Sequence, residues 1–291
     1  MGETQGEMAT RAVEAQRRPH PPTNLVIGGV VVVAFILLAA AGPWIAPFPF
    51  DQFDMRARFT PPSGVHWFGT DEFGRDVLSR VLAGAPYSLV MGFGATAISL
   101  AVGVPLGLLA AYYRGALGEL IMRSVDLMIS VPPILLGLLI LAVTEPSLWK
   151  TILAVGIVYI PIMTRITRSV ALGLLVEDFV VAARARGEGA AYILFSEILP
   201  NAWPPIIVET SLRVTFAILL GSALSFLGLG AQPPMSEWGL MIAGSRPFIE
   251  QAPWIGLAPG IALCVLLVSI NLLGEGLREF LDPRLRDRRP E

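Results

Sequence analysis

From Leu25 to Ile45 the chain runs 21 residues without a charged side chain, and from Ala85 to Tyr113 it does so again. As a helix, about 20 apolar residues cross the hydrocarbon core of a bilayer. No water is available there to satisfy a peptide group, so the backbone must satisfy itself, and helices are the simplest solution. The composition agrees, with 54% hydrophobic and only 15% charged residues, where soluble domains carry about a quarter. An all-α integral membrane protein is therefore expected. A net charge of −2 with scattered basic residues gives nucleic acid no footprint. One cysteine, Cys264, and two distant histidines, His20 and His66, offer neither a disulfide nor a metal-ligand set.

Taken in order, residues 1–24 read as a polar tail and residues 25–46 as the first transmembrane helix. A cleaved signal peptide is the rival, although this apolar run exceeds the usual 7 to 15 or so residues. Residues 47–84 are polar and proline-punctuated and read as a skirt on the outer face. Residues 85–277 hold five further spans. The second, Ala85 to Tyr113, carries Gly92, Gly94, Gly103 and Gly107, small residues that allow close helix approach. The third, Leu120 to Val143, is kinked by Pro132 and Pro133. The fourth starts near Trp149, the fifth near Trp203 and the sixth near Trp254, and residues 278–291 form a charged tail. Fourteen of the lysines and arginines then fall on the side of both termini and six on the other (Arg56, Arg58, Arg75, Arg80, Lys150, Arg246). That bias places both termini in the cytoplasm.

Two intramembrane charge pairs stand out, because charge within a bilayer is costly. Arg123 and Asp126 lie at i, i+3, and Glu209 and Arg213 at i, i+4, so each could neutralise itself on one helix face near its cytoplasmic end. Structural pairing and an ion path both remain open readings.

The loop between the fourth and fifth spans, residues 174–200, is the most informative polar stretch. Glu177 and Asp178 suit a helix N-terminus, Arg184 and Arg186 a last turn, and Gly187 a left-handed cap. A second short helix should start near Ala190 and stop before Pro200. Phe179, Ala182, Ala183 and Arg186 fall at i, i+3, i+4 and i+7 and would share one face. Such a knuckle could dock into a partner's groove, or simply connect two spans.

The same loop resembles the cytoplasmic signature of the inner-membrane permeases of binding-protein-dependent ABC importers, in their dipeptide, oligopeptide and nickel group. That signature reads Glu-Ala-Ala, three residues, Gly, nine residues, Ile, one residue, Leu-Pro. Ala182, Ala183, Gly187, Leu199 and Pro200 keep its register, while Val181 and Glu197 depart from it. His66 to Asp71 with Gly74 to Arg80, Leu224 to Gly230 with Pro233, Pro234, Trp238 and Gly239, and Asn271 to Arg278 with Leu281 to Leu285 are similar to other stretches of that group, in the same order. The outer segment and tail resemble the C-type of its two non-identical permeases. Gly221 stands where many relatives carry Glu.

The resemblance implies a non-catalytic subunit without a cofactor, forming half of a path for di- or oligopeptides. Nickel, glutathione or haem are the alternative cargoes. The implied partners are a second permease, two ATP-binding-cassette ATPases, an extracytoplasmic solute-binding protein and the lipid bilayer. Asp178, Phe179, Ala182, Ala183, Arg186, Gly187, Leu199 and Pro200 would form the coupling helix toward the ATPases. No Gly-rich loop ending in Lys-Ser/Thr is present, so ATP would have to act through contact. A stand-alone secondary transporter or channel is the reading from another class, but it calls for deep paired carboxylates or broken helices.

Overall fold

The computed structural model describes residues 21–281. The N-terminal arginines Arg11, Arg17 and Arg18, His20, and the tail arginines from Arg284 onward lie outside the described residues. Among the described residues the regular structure is helical. Helix α1 is Thr23–Ile45, α2 Val77–Tyr112, α3 Ala116–Ile129, α4 Pro133–Leu141 and α5 Leu148–Leu174. The short α6 is Asp178–Ala185, α7 is Ala190–Phe226, α8 Trp238–Ser245 and α9 Trp254–Leu281. Five of these helices are long and apolar enough to cross a membrane, or six spans result if α3 and α4 count as one.

Three sequence expectations are corrected. The second long helix starts at Val77 rather than Ala85, because the Asp76 carboxylate accepts from the Ser79 N–H at 2.8 Å and caps it eight residues earlier. The proline pair breaks the third span instead of kinking it: α3 ends at Ile129, α4 starts at Pro133, and the two axes meet at 91°. Two successive residues without an N–H leave the turn no ladder to continue. Finally, the helix begun at Ala190 does not stop before Pro200. It widens over Ile193–Ile198 into a π-helical stretch, with the Leu199 N–H donating to the Leu194 carbonyl five residues back, and then runs on to Phe226. The wider turn gives the proline ring room against the preceding carbonyls.

Helices α2 and α5 pack along one another, and their small residues set the spacing. A Cβ on Gly103 would fall 2.7 Å from Met163 Cβ, and one on Gly107 2.6 Å from the Thr164 carbonyl oxygen. Only glycine lets these two backbones approach so closely. Helix α1 lies on α9 and leaves Val26, Ile27, Val30, Val33, Ile36 and Leu37 exposed. Apolar side chains laid open over so much of a helix need hydrocarbon as their solvent. Buried clusters run the length of the molecule. One joins α1, the start of α2, α8 and α9, and another joins the far ends of α2 and α5 to α6 and α7.

Candidate functional site

The candidate coupling site is the knuckle formed by α6 and the start of α7. Helix α6 ends in a paired backbone motif: the Gly187 N–H donates to the Arg184 carbonyl at 2.9 Å and the Glu188 N–H to the Ala183 carbonyl at 3.2 Å. That Schellman arrangement requires a left-handed residue after the cap, and Gly187 supplies it at φ +81°.

The structure divides the predicted residues between two faces. Ala183 is fully buried, as is Val180 beside it, and Phe179 is half-buried against the same cluster. Leu199 packs half-buried there too, while Pro200 is exposed. Asp178, Ala182, Arg186 and Gly187 are exposed. The outward face is therefore Asp178, Val181, Ala182 and Ala185, again at i, i+3, i+4 and i+7 but turned by about one residue from the face expected. Sequence periodicity could not choose between the two, because alanines occupy both.

Inward, Val180 and Ala183 meet Ile193, Leu194 and Ile198 of the π-helical stretch, and the same cluster reaches Leu108 and Ala111 of α2 and Met163 and Ala171 of α5. A displacement of α6 thus has packed side chains to push against on three long helices. Outward, Arg186 Nη2 donates to Glu197 Oε1 at 3.2 Å and its Nε lies 3.6 Å from Glu188 Oε1. Glu197, one of the two departures from the signature, ties α6 to α7. The Arg184 guanidinium lies 5.7 Å from the Tyr112 ring centroid at the end of α2.

The two charge pairs part company. Glu209 and Arg213 pair as expected at 2.8 Å. They do not sit near a helix end, however, because Arg213 lies over Tyr159 at 5.6 Å. Tyr159 is nine residues from both Lys150 and Arg168, about 14 Å of helix rise from each. Arg123 instead pairs with Glu119 one turn back, and Asp126 reaches Arg165 on α5, tying α3 to its neighbour.

At the opposite end of α2, sequence reading passed over an ionic core in the segment before it. Asp71, 2% exposed, accepts from Arg75 Nε at 2.7 Å, from Arg80 Nη1, and from the N–H groups of Phe73 and Arg75. Asp76 accepts from Ser79 and faces His66 Nδ1 at 2.9 Å. Burial pushes the neighbouring Glu72 carboxyl above its ordinary range. Glu237 was also missed. It is fully buried, caps α8 through the Gly239 and Leu240 N–H groups at 2.9 Å each, and accepts from Ser222 Oγ at 3.2 Å. Burial outweighs these bonds and raises its carboxyl. Gly221 beside Ser222 leaves no room for a side chain, since a Cβ would fall 2.4 Å from Met91 Cγ.

The family model described as the binding-protein-dependent transport system inner membrane component matches residues 103–287. The chain belongs to that family. It is a multi-pass inner-membrane permease, and residues 25–62 match a second model, the N-terminal transmembrane domain of oligopeptide transport permease C. The permease is 42% identical over 261 residues to the dipeptide transport system permease protein of Alkalihalophilus pseudofirmus, covering 90% of this chain and 86% of that protein. It is also 42% identical to the di/tripeptide transport system permease protein of Pseudomonas aeruginosa (90% and 88%). To the glutathione transport system permease protein of Pectobacterium atrosepticum it is 37% identical (90% and 87%). Its fold is similar to a chain of the MetNI methionine ABC transporter in inward-facing conformations. That match has a TM-score of 0.59 at 18% identity and covers 70% of this chain and 96% of the other.

Proposed function

We propose that this permease forms half of the translocation path of an ATP-driven importer for di- or oligopeptides. A solute-binding protein delivers the cargo, a second, homologous permease completes the path, and two ATPase subunits move it through the knuckle. The cargo reading is supported by relatives named for dipeptides, di- and tripeptides and the tripeptide glutathione. Both termini and the knuckle face the cytoplasm, and the bent pair α3 and α4 counts as one of six spans.

The observation that carries the coupling role is the packing of α6. One face is sealed by Val180 and Ala183 onto α2, α5 and α7, and the other presents Asp178, Val181, Ala182 and Ala185 to a partner. A lever needs both a handle and a rigid connection, and ATPase closure at this handle biases one packed element between two arrangements. Gly187 fixes the angle of the handle. Gly187→Val puts a β-branched residue at φ +81°, a strain of about 1–3 kcal/mol, in a position with open space around it. The assembled complex should form, and uptake of a labelled dipeptide into liposomes should fall while ATP hydrolysis continues. Undiminished uptake by this variant would refute the lever.

A further inference from the structure

The ionic core before α2 is more than a brace for that helix. Asp71, Glu72 and Arg80 form one wall of a cavity of about 210 Å³, and Met235, Leu240 and Met241 from the segment around α8 form the facing wall. At roughly 30 Å³ per water, that is room for about seven waters, comparable with one amino-acid residue. Arg80 is 8% exposed, and its one guanidinium hydrogen bond among the described residues runs from Nη1 to Asp71. Its Nε is buried with no hydrogen-bond partner. The edge carrying Nε and Nη2, which is the edge suited to grip a carboxylate with two parallel bonds, is thus left without an acceptor. Asp71 cannot swing to fill it. Its two oxygens already serve Arg75 Nε, Arg80 Nη1 and two backbone N–H groups.

From this geometry we infer that the cavity is an entry subsite for the C-terminal residue of a transported peptide, with Arg80 binding the carboxylate and Met235 and Met241 the side chain. The inference rests on the peptide reading above and gives it a place in the molecule. The two walls divide the recognition as a carrier of varied peptides requires. Every free peptide has the same terminal carboxylate, which a fixed guanidinium can read. Its last side chain varies, and unbranched thioethers adapt their shape to many apolar groups. Asp71 shares its carboxylate between Arg75 and Arg80, and Glu72 makes its ion pair with Arg75, at 3.4 Å, so no hydrogen-bonded acid covers the Nε edge of Arg80. The cavity opens beside the N-terminal turn of α2, at the end of the molecule opposite the knuckle, where a solute arriving from outside meets the first long helix of the core.

The test uses the assembled transporter in liposomes, with the solute-binding protein saturated by a labelled dipeptide, so that discrimination by that protein drops out. Gly244 lines the cavity, and a Cβ there meets nothing within 4 Å, so Gly244→Leu fills the space without straining the fold. Uptake at saturation should fall roughly tenfold or more in Gly244→Leu. In Arg80→Lys, which keeps the charge but loses the two-pronged edge, uptake of the free dipeptide should fall by a similar factor, on the scale of a lost charge-assisted bond, toward the rate of its C-terminal amide. A dipeptide bearing a photoreactive C-terminal side chain should cross-link to residues 235–241 in the wild type and not in Gly244→Leu. Wild-type uptake in Gly244→Leu, or a dipeptide that cross-links elsewhere and not to residues 235–241 in the wild type, would overturn the subsite while leaving peptide transport standing. If the wild-type complex carries no peptide at all, the cargo reading falls and the subsite falls with it.

Discussion

Single residues in this permease are decided by what surrounds them. Glu237 follows the Pro233-Pro234 pair in a loop, where sequence gives no reason to single out an acid, yet it is one of the most deeply enclosed polar groups described. Its carboxyl is raised because desolvation exceeds the help of the Gly239 and Leu240 N–H groups. The folded state therefore holds a proton that the unfolded chain has released, and stability falls as pH rises above the ordinary carboxyl value of 4.5. Glu237→Gln removes the charge and keeps one carbonyl oxygen, which can still accept from Ser222 Oγ and the Gly239 N–H, while the Leu240 N–H loses its acceptor. Thermal unfolding of the detergent-solubilised permease between about pH 5 and pH 8 should show a shallower decline with pH for the variant, whatever the lost Leu240 bond does to its absolute midpoint. Parallel curves for the two proteins would mean that the carboxylate is accommodated charged.

At the level of the element, α6 shows how little periodicity says about direction. Alanines at 182 and 183 sit side by side in the signature, and their neighbours allow either to face inward. The tertiary contacts put Ala183 against Ile193 and Ile198 and turn Ala182 outward. Leucine at the two positions should separate the roles. Ala183→Leu overfills a closed face, a cost of about 1–3 kcal/mol, and should lower the melting temperature of the permease on its own. Ala182→Leu should leave melting unchanged and weaken capture of the ATPase subunits in a pull-down from co-expressing cells. If Ala182→Leu captures ATPase as well as the wild type, the outward face is not the handle. The passage through Pro200 follows the same logic at the backbone. A proline reads locally as a stop, but the buried Ile193, Leu194 and Ile198 on one side and Ala202 and Ile206 on the other belong to a single cluster. Keeping them on one helix is worth the local widening.

For the whole molecule, the proposed topology rests on charge bias and can be measured directly. Gly64 lies in the segment before α2 and Gly189 in the knuckle, and a Cβ at either position meets nothing within 4 Å, so Gly64→Cys and Gly189→Cys should both fold. With Cys264 replaced by Ala, a membrane-impermeant maleimide added to spheroplasts should label Gly64→Cys alone, and Gly189→Cys only after the membrane is opened. The reverse pattern would invert the molecule and remove the knuckle from any cytoplasmic ATPase. By itself the sequence determined that this chain is helical and membrane-spanning, because uncharged runs of bilayer length admit little else, and it located the knuckle, because a glycine after a charged helix end is a local stop. Only the tertiary structure decided which face of α6 is free, that the helix survives Pro200, and that Asp71, Arg75 and Arg80 converge with the segment around α8 on one cavity. Those outcomes depend on residues about 155 to 165 positions apart in sequence meeting in space, as Arg80 and Met235 to Gly244 do around the cavity, and local pattern carries no trace of such distances.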